Sequence, residues 1–238
     1  MVRKEVVALG NQETGKLKRR FPVSSFPRLL LMLLAAGAGW AYVAGIGGTW
    51  SVALKVTPVM CLAAIVGRRS PLICLGLAAS AVGDALLDLG RFLPGVGAFM
   101  LAHALYISAF IKADRSLRPG YAAPFIVWGA IAFFAILPAL GGMTLPVALY
   151  LTVICAMMWR SAAQAWPSTN HPLAWIGLLG AVLFGASDTL IALAQWRLGF
   201  SAPGIAIMAL YWGGQALIAA WARFPFIHPS PRVPAPPR

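Results

Sequence analysis

The chain reads as a series of long apolar blocks separated by short breaks rich in glycine, proline or arginine. The blocks fall at Leu29–Ile46, Trp50–Val66, Leu72–Leu89, Phe92–Ile111, Ala122–Leu140, Thr144–Trp159, Leu173–Gln195 and Ala202–Trp221. A helix climbs about 1.5 Å per residue, so roughly 17 to 25 apolar residues cross the hydrocarbon layer of a bilayer. The pattern therefore predicts an all-α integral membrane protein with eight transmembrane helices. The breaks at Gly45–Gly48, Arg68–Pro71, Gly141–Gly142 and Trp166–Pro172 are so short that consecutive helices must be antiparallel neighbours. The first block is longer than the apolar stretch of a cleaved signal peptide, which predicts a retained first helix.

Composition agrees with a bilayer as the main solvent. Of the 238 residues 60% are hydrophobic and 11% charged, and the mean hydropathy is +0.80, outside the range of soluble globular domains. One membrane domain over 29–222 is expected, preceded by a basic extension over 1–28 and followed by a basic, proline-rich tail over 223–238. Neither end has sustained apolar periodicity, and both are expected to be disordered. Cys61, Cys74 and Cys155 all sit inside apolar blocks without paired spacing and read as packing residues.

The net charge of +13 does not signify a nucleic-acid partner, because the cations lie in loops and tails instead of along one face. They act as topology signals. With the N-terminus inside, sixteen Lys and Arg residues fall on the cytoplasmic side and only Arg91 and Arg197 on the other, leaving Lys55 within a span. Both termini are therefore expected to be cytoplasmic. Trp50 and Trp196 at outer ends, with Trp159 and Trp175 at inner ends, fit interfacial belts. High Ala, Gly and Arg usage and the lack of a long targeting segment suggest a bacterial inner membrane, with a eukaryotic endomembrane as the alternative.

The polar residues left inside the spans carry the chemistry. A charge at the bilayer centre costs about 2.5 to 3.5 kcal/mol even on lenient scales, yet three of the six acids, Asp84, Asp88 and Asp188, lie in or at the ends of helices, as does Lys55. The alternating topology brings these four to one depth near the outer side. His103, Tyr106, Tyr150, Tyr211 and Gln215 fall between that level and the midplane. Asp84 with Asp88, and Tyr211 with Gln215, are spaced i, i+4 and project from one face of their helices. Together they predict a polar pocket open towards the outer leaflet. The segment from Gly83-Asp84 to Arg91-Phe92 is echoed by Ser187-Asp188 to Arg197, four helices later, which would make a parallel 4+4 internal repeat.

Lys55-Val-Thr-Pro58, Gly83-Asp84-x-x-Leu87-Asp88, Arg91-Phe92-Leu-Pro94-Gly95 and His103-Ala-Leu-Tyr106 resemble the YhhN family of lysoplasmalogenases, and Ser187-Asp188-x-x-Leu190 and Tyr211-Trp-Gly-Gly-Gln215 continue the match in order. The resemblance covers about Leu29 to Trp221. It implies an eight-helix enzyme that hydrolyses the vinyl ether bond of a lysophospholipid substrate, releasing a fatty aldehyde and a glycerophospho-alcohol.

The residues suit that reaction, which needs an acid for the enol ether carbon and a water directed at the resulting oxocarbenium carbon. Two carboxylates in different surroundings can divide the work. Asp84 and Asp188 are the candidates, with the division between them open. Asp88 and Lys55 would form a supporting charge pair or hold the phosphate, while His103, Tyr106, Tyr150, Tyr211 and Gln215 would bind the headgroup or orient water. No metal or other cofactor is expected. Of the three histidines, His171 and His228 fall at or beyond the cytoplasmic face, and HExxH, GxSxG and GxxxxGK[ST] are all missing. The competing reading is a small-solute or lipid transporter, or a lipid-binding protein, using the same cluster. A transporter needs access from both faces, whereas the cytoplasmic halves of the helices read as sealed by Leu, Ala and Val. Small residues such as Gly37 with Gly39, and Gly177 with Gly180, could pack helices within or between protomers, and the oligomeric state is left open. Membrane lipids are the other expected partners.

Overall fold

A computed structural model of the protein describes residues 26–166, 174–197 and 199–223. The basic extension up to residue 25, His171, and the tail from residue 224, including His228, lie outside the described residues. Within them the α-helices are α1 (Phe26–Val43), α2 (Ser51–Val66), α3 (Pro71–Asp88), α4 (Phe92–Ala113), α5 (Ala123–Leu140), α6 (Thr144–Ala165), α7 (Ala174–Trp196) and α8 (Gly204–Trp221). Single turns of tighter helix at Gly48–Trp50, Gly67–Arg69, Pro119–Ala122 and Gly141–Met143 make several of the connections. No strand occurs among the described residues. Seven segments are long and apolar enough to cross a membrane, and one of these, 119–165, holds both α5 and α6.

The outside of the bundle is oilier than much of its inside. Leu30, Ile131, Phe134 and Leu145 are 58 to 68% exposed, while Ser80, Asp84, His103, Arg160, Ser161, Gln164, Ser187 and Gln215 are buried. A water-soluble protein distributes these residue types the other way. The protein is an integral membrane protein.

Small residues explain why two helix pairs approach most closely. Lipid tails are as apolar as leucine, so helices in a bilayer associate through packing and hydrogen bonds, which favours small residues at the contact. On α3, Gly76 and Gly83 stand two turns apart, and a Cβ at either would lie 2.3 Å from the Tyr106 ring or 2.7 Å from the Phe99 ring of α4. On α7 and α8, a Cβ at Gly180 or Gly214 would lie 2.8 Å from the other's carbonyl oxygen. Backbone meets backbone there. Gly177 makes room for Trp221 of α8, and Gly39 of α1 faces Trp212.

One boundary differs clearly from the sequence pattern. Helix α6 runs to Ala165, well beyond Trp159. Arg160, expected in a cytoplasmic loop, is instead a buried helical residue. Its guanidinium donates to the carbonyls of Asp114 at 2.7 Å, Ser116 at 2.8 Å and Leu117 at 3.1 Å. The charge is tolerated inside because it closes the α4–α5 connection, whose backbone acceptors would otherwise go unpaired. Arg118, with φ of 44°, donates to Asp114 Oδ2 at 2.6 Å and to the Ala163 carbonyl. Charge counting alone places an arginine on a side of the membrane but not in or out of a helix.

Gly76→Ala should lower the unfolding stability in detergent by about 1 to 3 kcal/mol, the usual cost of overpacking, as read from a thermal melt. Gly97→Ala, at a position of α4 where a Cβ meets nothing within 4 Å, should leave the melt unchanged.

Candidate active site

Six helices line one cavity near the ends joined by the α3–α4 and α7–α8 connections. Lys55 of α2 is the one cation among the four intramembrane charges, and its Nζ lies 2.6 Å from Asp88 Oδ1 and 3.7 Å from Asp84 Oδ1. Asp84 and Asp88 reach it together because they lie one turn apart on α3. Tyr211 of α8 donates its hydroxyl to Asp84 Oδ2 at 2.6 Å. One ammonium thus draws together α2 and α3, and the phenol adds α8. Tyr42 of α1 sits with its ring centroid 5.9 Å from the same ammonium.

The second carboxylate has a different escort. Tyr150 of α6 donates its hydroxyl to Asp188 Oδ2 of α7. His103 of α4 is fully buried, with Nε2 4.0 Å from the same oxygen, too far for a hydrogen bond. The imidazole rests edge-on to Tyr150, centroids 5.4 Å apart, and 4.8 Å from the Phe184 ring. No lysine or arginine is paired with Asp188 among the described residues.

Both carboxylates border one cavity of about 850 Å³, counting its open mouth. Lys55, Asp84, Tyr150, Asp188, Thr189 and Tyr211 supply its polar wall, and residues such as Leu87, Val96, Val147, Leu151, Ile154 and Met208 supply the apolar remainder. Phe92 and Trp196, also in the lining, meet edge-on with centroids 5.7 Å apart.

The remaining candidates lie off that wall. Asp88 is on the far side of Lys55. Tyr106 and Gln215 are fully buried, the Tyr106 hydroxyl donating to Gln215 Oε1 at 2.8 Å with Ser80 Oγ 3.5 Å away, while Gln215 Nε2 makes no hydrogen bond among the described residues. They tie α4 to α8 beneath the cavity. Below them, Phe110, Met157, Met158, Ile218 and Trp221 are fully or nearly fully buried, so aromatic and sulfur side chains fill the interior beyond the site.

Sequence reading missed Tyr42, Thr189, Phe99 and Phe184, the last two of which form a ring cluster with Tyr211 at centroid distances of 5.2 to 6.1 Å. Thr189 accepts from Trp128 Nε1 at 3.0 Å and donates to the Gly185 carbonyl at 2.7 Å. A signal existed for two of them. Thr189 directly follows Asp188, and Tyr42 stands near the end of the first apolar block, at the depth of Lys55. Nothing in spacing marks Phe99 and Phe184 among so many apolar residues.

An apolar bundle that holds two tyrosine-bound carboxylates on the wall of one mostly apolar cavity defines a polytopic membrane protein with an internal polar site. The YhhN family pattern matches residues 50–222, and the chain belongs to that family. It is similar to lysoplasmalogenase TMEM86B of Homo sapiens, 35% identical over 179 residues that make up 71% of this chain and 74% of the relative. Lysoplasmalogenase TMEM86A of Bos taurus is 34% identical over 157 residues, 62% of this chain and 63% of the relative. A lysoplasmalogenase of Mycobacterium bovis is 31% identical over 168 residues, 65% of this chain and 61% of the relative. The chain thus spans somewhat under two thirds of these last two. No solved structure matches it.

Removing the ammonium should leave two carboxylates without compensation in an apolar interior. Lys55→Met is expected to cost about 3 to 5 kcal/mol, as for breaking a buried pair, and Lys55→Met with Asp88→Asn should recover part of it. Thermal melts of the two variants in detergent check both signs.

Proposed function

We propose that this protein is a membrane-embedded lysoplasmalogenase, hydrolysing the vinyl ether bond of a lysophospholipid to a fatty aldehyde and a glycerophospho-alcohol. The observation that carries the reading is the pair of tyrosine-held carboxylates on the wall of one otherwise apolar cavity. The chain names of its relatives in mammals and mycobacteria support the same activity.

The two carboxylates are not equivalent, and their neighbours suggest the division of labour. Asp84 shares Lys55, whose positive charge favours an anion there; Asp188 faces no cation and carries the transferable proton. With the alkenyl chain along the apolar wall, Asp188 gives its proton to the alkenyl carbon one removed from the ether carbon, and an oxocarbenium ion forms at the carbon bonded to oxygen. Asp84 takes a proton from the water that attacks that carbon. The resulting hemiacetal collapses as Asp84 returns the proton to the glycerol oxygen, while the hemiacetal hydroxyl proton goes back to Asp188. One water is consumed, and both side chains end as they began. Hydrogen bonds from Tyr150 and Tyr211 fix the carboxylates in position, which is where most of the advantage over solution would arise. Lys55 is already satisfied by two carboxylates, so its role is charge compensation and not phosphate binding. Tyr106 and Gln215 act by setting the α4–α8 spacing, and Asp88 by holding Lys55.

The reading includes eight spans with both termini cytoplasmic, a membrane domain over 29–222 between two basic ends, and a bacterial inner membrane as the compartment. Eight apolar helices and the lysine and arginine bias support it. A parallel 4+4 repeat is supported by Asp84 and Asp188 taking corresponding places in the two most intimate helix pairs, α3 with α4 and α7 with α8. Against the transporter alternative stands the filled interior beyond the cavity, where Phe110, Met157, Ile218 and Trp221 are buried among the described residues.

Purified protein in detergent, with chelator present, should release aldehyde from lysoplasmenylethanolamine. Asp84→Asn and Asp188→Asn should each reduce kcat by about 10² to 10⁴, the range of general acid–base catalysis, without loss of the folded melt. No aldehyde from well-folded wild type across several headgroups would move transport or lipid binding to the front.

A further inference from the structure

His103 has no part in the steps above, yet it is the most conspicuous unexplained polar group in the bundle. It is 0% exposed, it lies behind Asp188 and outside the cavity lining, and its Nε2 makes no hydrogen bond among the described residues. Leaving a buried polar atom unpaired costs about 1 to 3 kcal/mol, so a stable fold with an idle imidazole at this spot needs a reason. Nε2 stands 4.0 Å from Asp188 Oδ2. That gap exceeds a hydrogen bond by about 1 Å, a distance that a small carboxyl rotation closes.

We propose that His103 is a positioning residue for Asp188, donating an Nε2–H hydrogen bond that forms as Asp188 becomes a carboxylate during proton transfer to the substrate. The inference rests on Asp188 being the acid. When Asp188 gives up its proton, negative charge develops on a group with no cation beside it. Tyr150 already donates to Oδ2, and one donor is little for a carboxylate in apolar surroundings. A second donor that is slack in the resting state and tight in the charged state lowers the barrier, since only interactions stronger in the transition state accelerate a reaction. A donor already bonded at rest would stabilise both states and gain nothing.

The surroundings hold the imidazole at that distance. Phe184, one turn before Asp188 on α7, lies 4.8 Å from it centroid to centroid, and Tyr150 closes the other side at 5.4 Å. Phe99, one turn before His103 on α4, packs on Phe184 at 6.1 Å. The imidazole can turn within this cage but cannot leave it. The titratable and charged groups on the neighbouring elements are Asp188 and Tyr150 at the contact itself, with Asp84, Lys55 and Tyr211 across the cavity.

The test compares His103→Phe, which keeps the ring and removes the donor, with His103→Gln, whose amide NH₂ can stand near Nε2. Each is assayed for aldehyde release from lysoplasmenylethanolamine and for binding of the saturated 1-O-alkyl lysophosphatidylethanolamine, which cannot be hydrolysed by this route. The expected result is a fall in kcat of about a hundredfold for His103→Phe, with KM and alkyl ether binding unchanged, and recovery of most of the rate in His103→Gln. A kcat within about threefold of wild type in folded His103→Phe would overturn the proposal, as would equal loss in both variants or loss of alkyl ether binding, which would make His103 a packing residue. Wild type that releases no aldehyde would instead remove the underlying reading of the site.

Discussion

A single ammonium group compensates two carboxylates in a region where water is scarce, and much of the bundle is arranged around that fact. Lys55 Nζ stands 2.6 Å from Asp88 and 3.7 Å from Asp84. Without it, α3 would carry two like charges one turn apart, facing into the bundle. With it, the α2–α3 interface can bury a carboxylate beside a cavity and still be stable. Tyr211 extends the network from α3 to α8, so an electrostatic requirement also fixes where three helices meet. The cost of charge in an apolar medium is thereby turned into a rule for assembly.

The close helix pairs bring the reactive groups to the positions that this rule requires. Gly76 and Gly83 admit the Tyr106 and Phe99 rings, and Gly180 and Gly214 bring α7 and α8 into backbone contact. The first pair sets the depth of α4, and with it the level of His103. The second fixes Asp188 relative to Tyr211, since both ride on helices that cannot drift apart; Ser187 Oγ adds a hydrogen bond to the Ile207 carbonyl at 3.0 Å. Side chains of the site are therefore placed by rigid elements and not by loops, as the proposed acid–base pair would require.

Much of this was legible in the chain before any coordinates, for a physical reason. Apolar blocks of crossing length announce helices, and an Asp or Lys inside one announces a site, because the bilayer penalises both irregular backbone and unpaired charge. Asp84, Asp88, Asp188 and Lys55 stood out on that ground alone, and i, i+4 spacing put Asp84 with Asp88 on one face. What spacing could not reveal was which helix lies beside which across the bundle. Tyr150 paired with Asp188, and Tyr211 with Asp84, are contacts between helices far apart in sequence. The division of the tyrosines into two that line the cavity and one, Tyr106, that braces the helices beneath it is likewise a matter of rotation about a helix axis. Arg160 shows the same limit: its charge indicates the end of the bundle, while its burial depends on three carbonyls of a loop over forty residues away.

Asp84 and Asp188 stand in similar local sequence, each after a small residue and one or two turns from a helix end, and their different surroundings come from elsewhere. Asp84 has a carboxylate one turn later and a lysine on the neighbouring helix; at the corresponding place after Asp188 the chain has Ala192, and α6 and α4 offer a tyrosine and a histidine. The same aspartate is thus met by a cation in one half of the bundle and by neutral hydrogen-bonding groups in the other. Two carboxylates that interact with a common substrate must differ if one is to deliver a proton while the other accepts one. In this fold the difference does not require separate architectures. On the mechanism proposed above, different neighbours around two similar aspartates are what would make one an acid and the other a base facing one cavity.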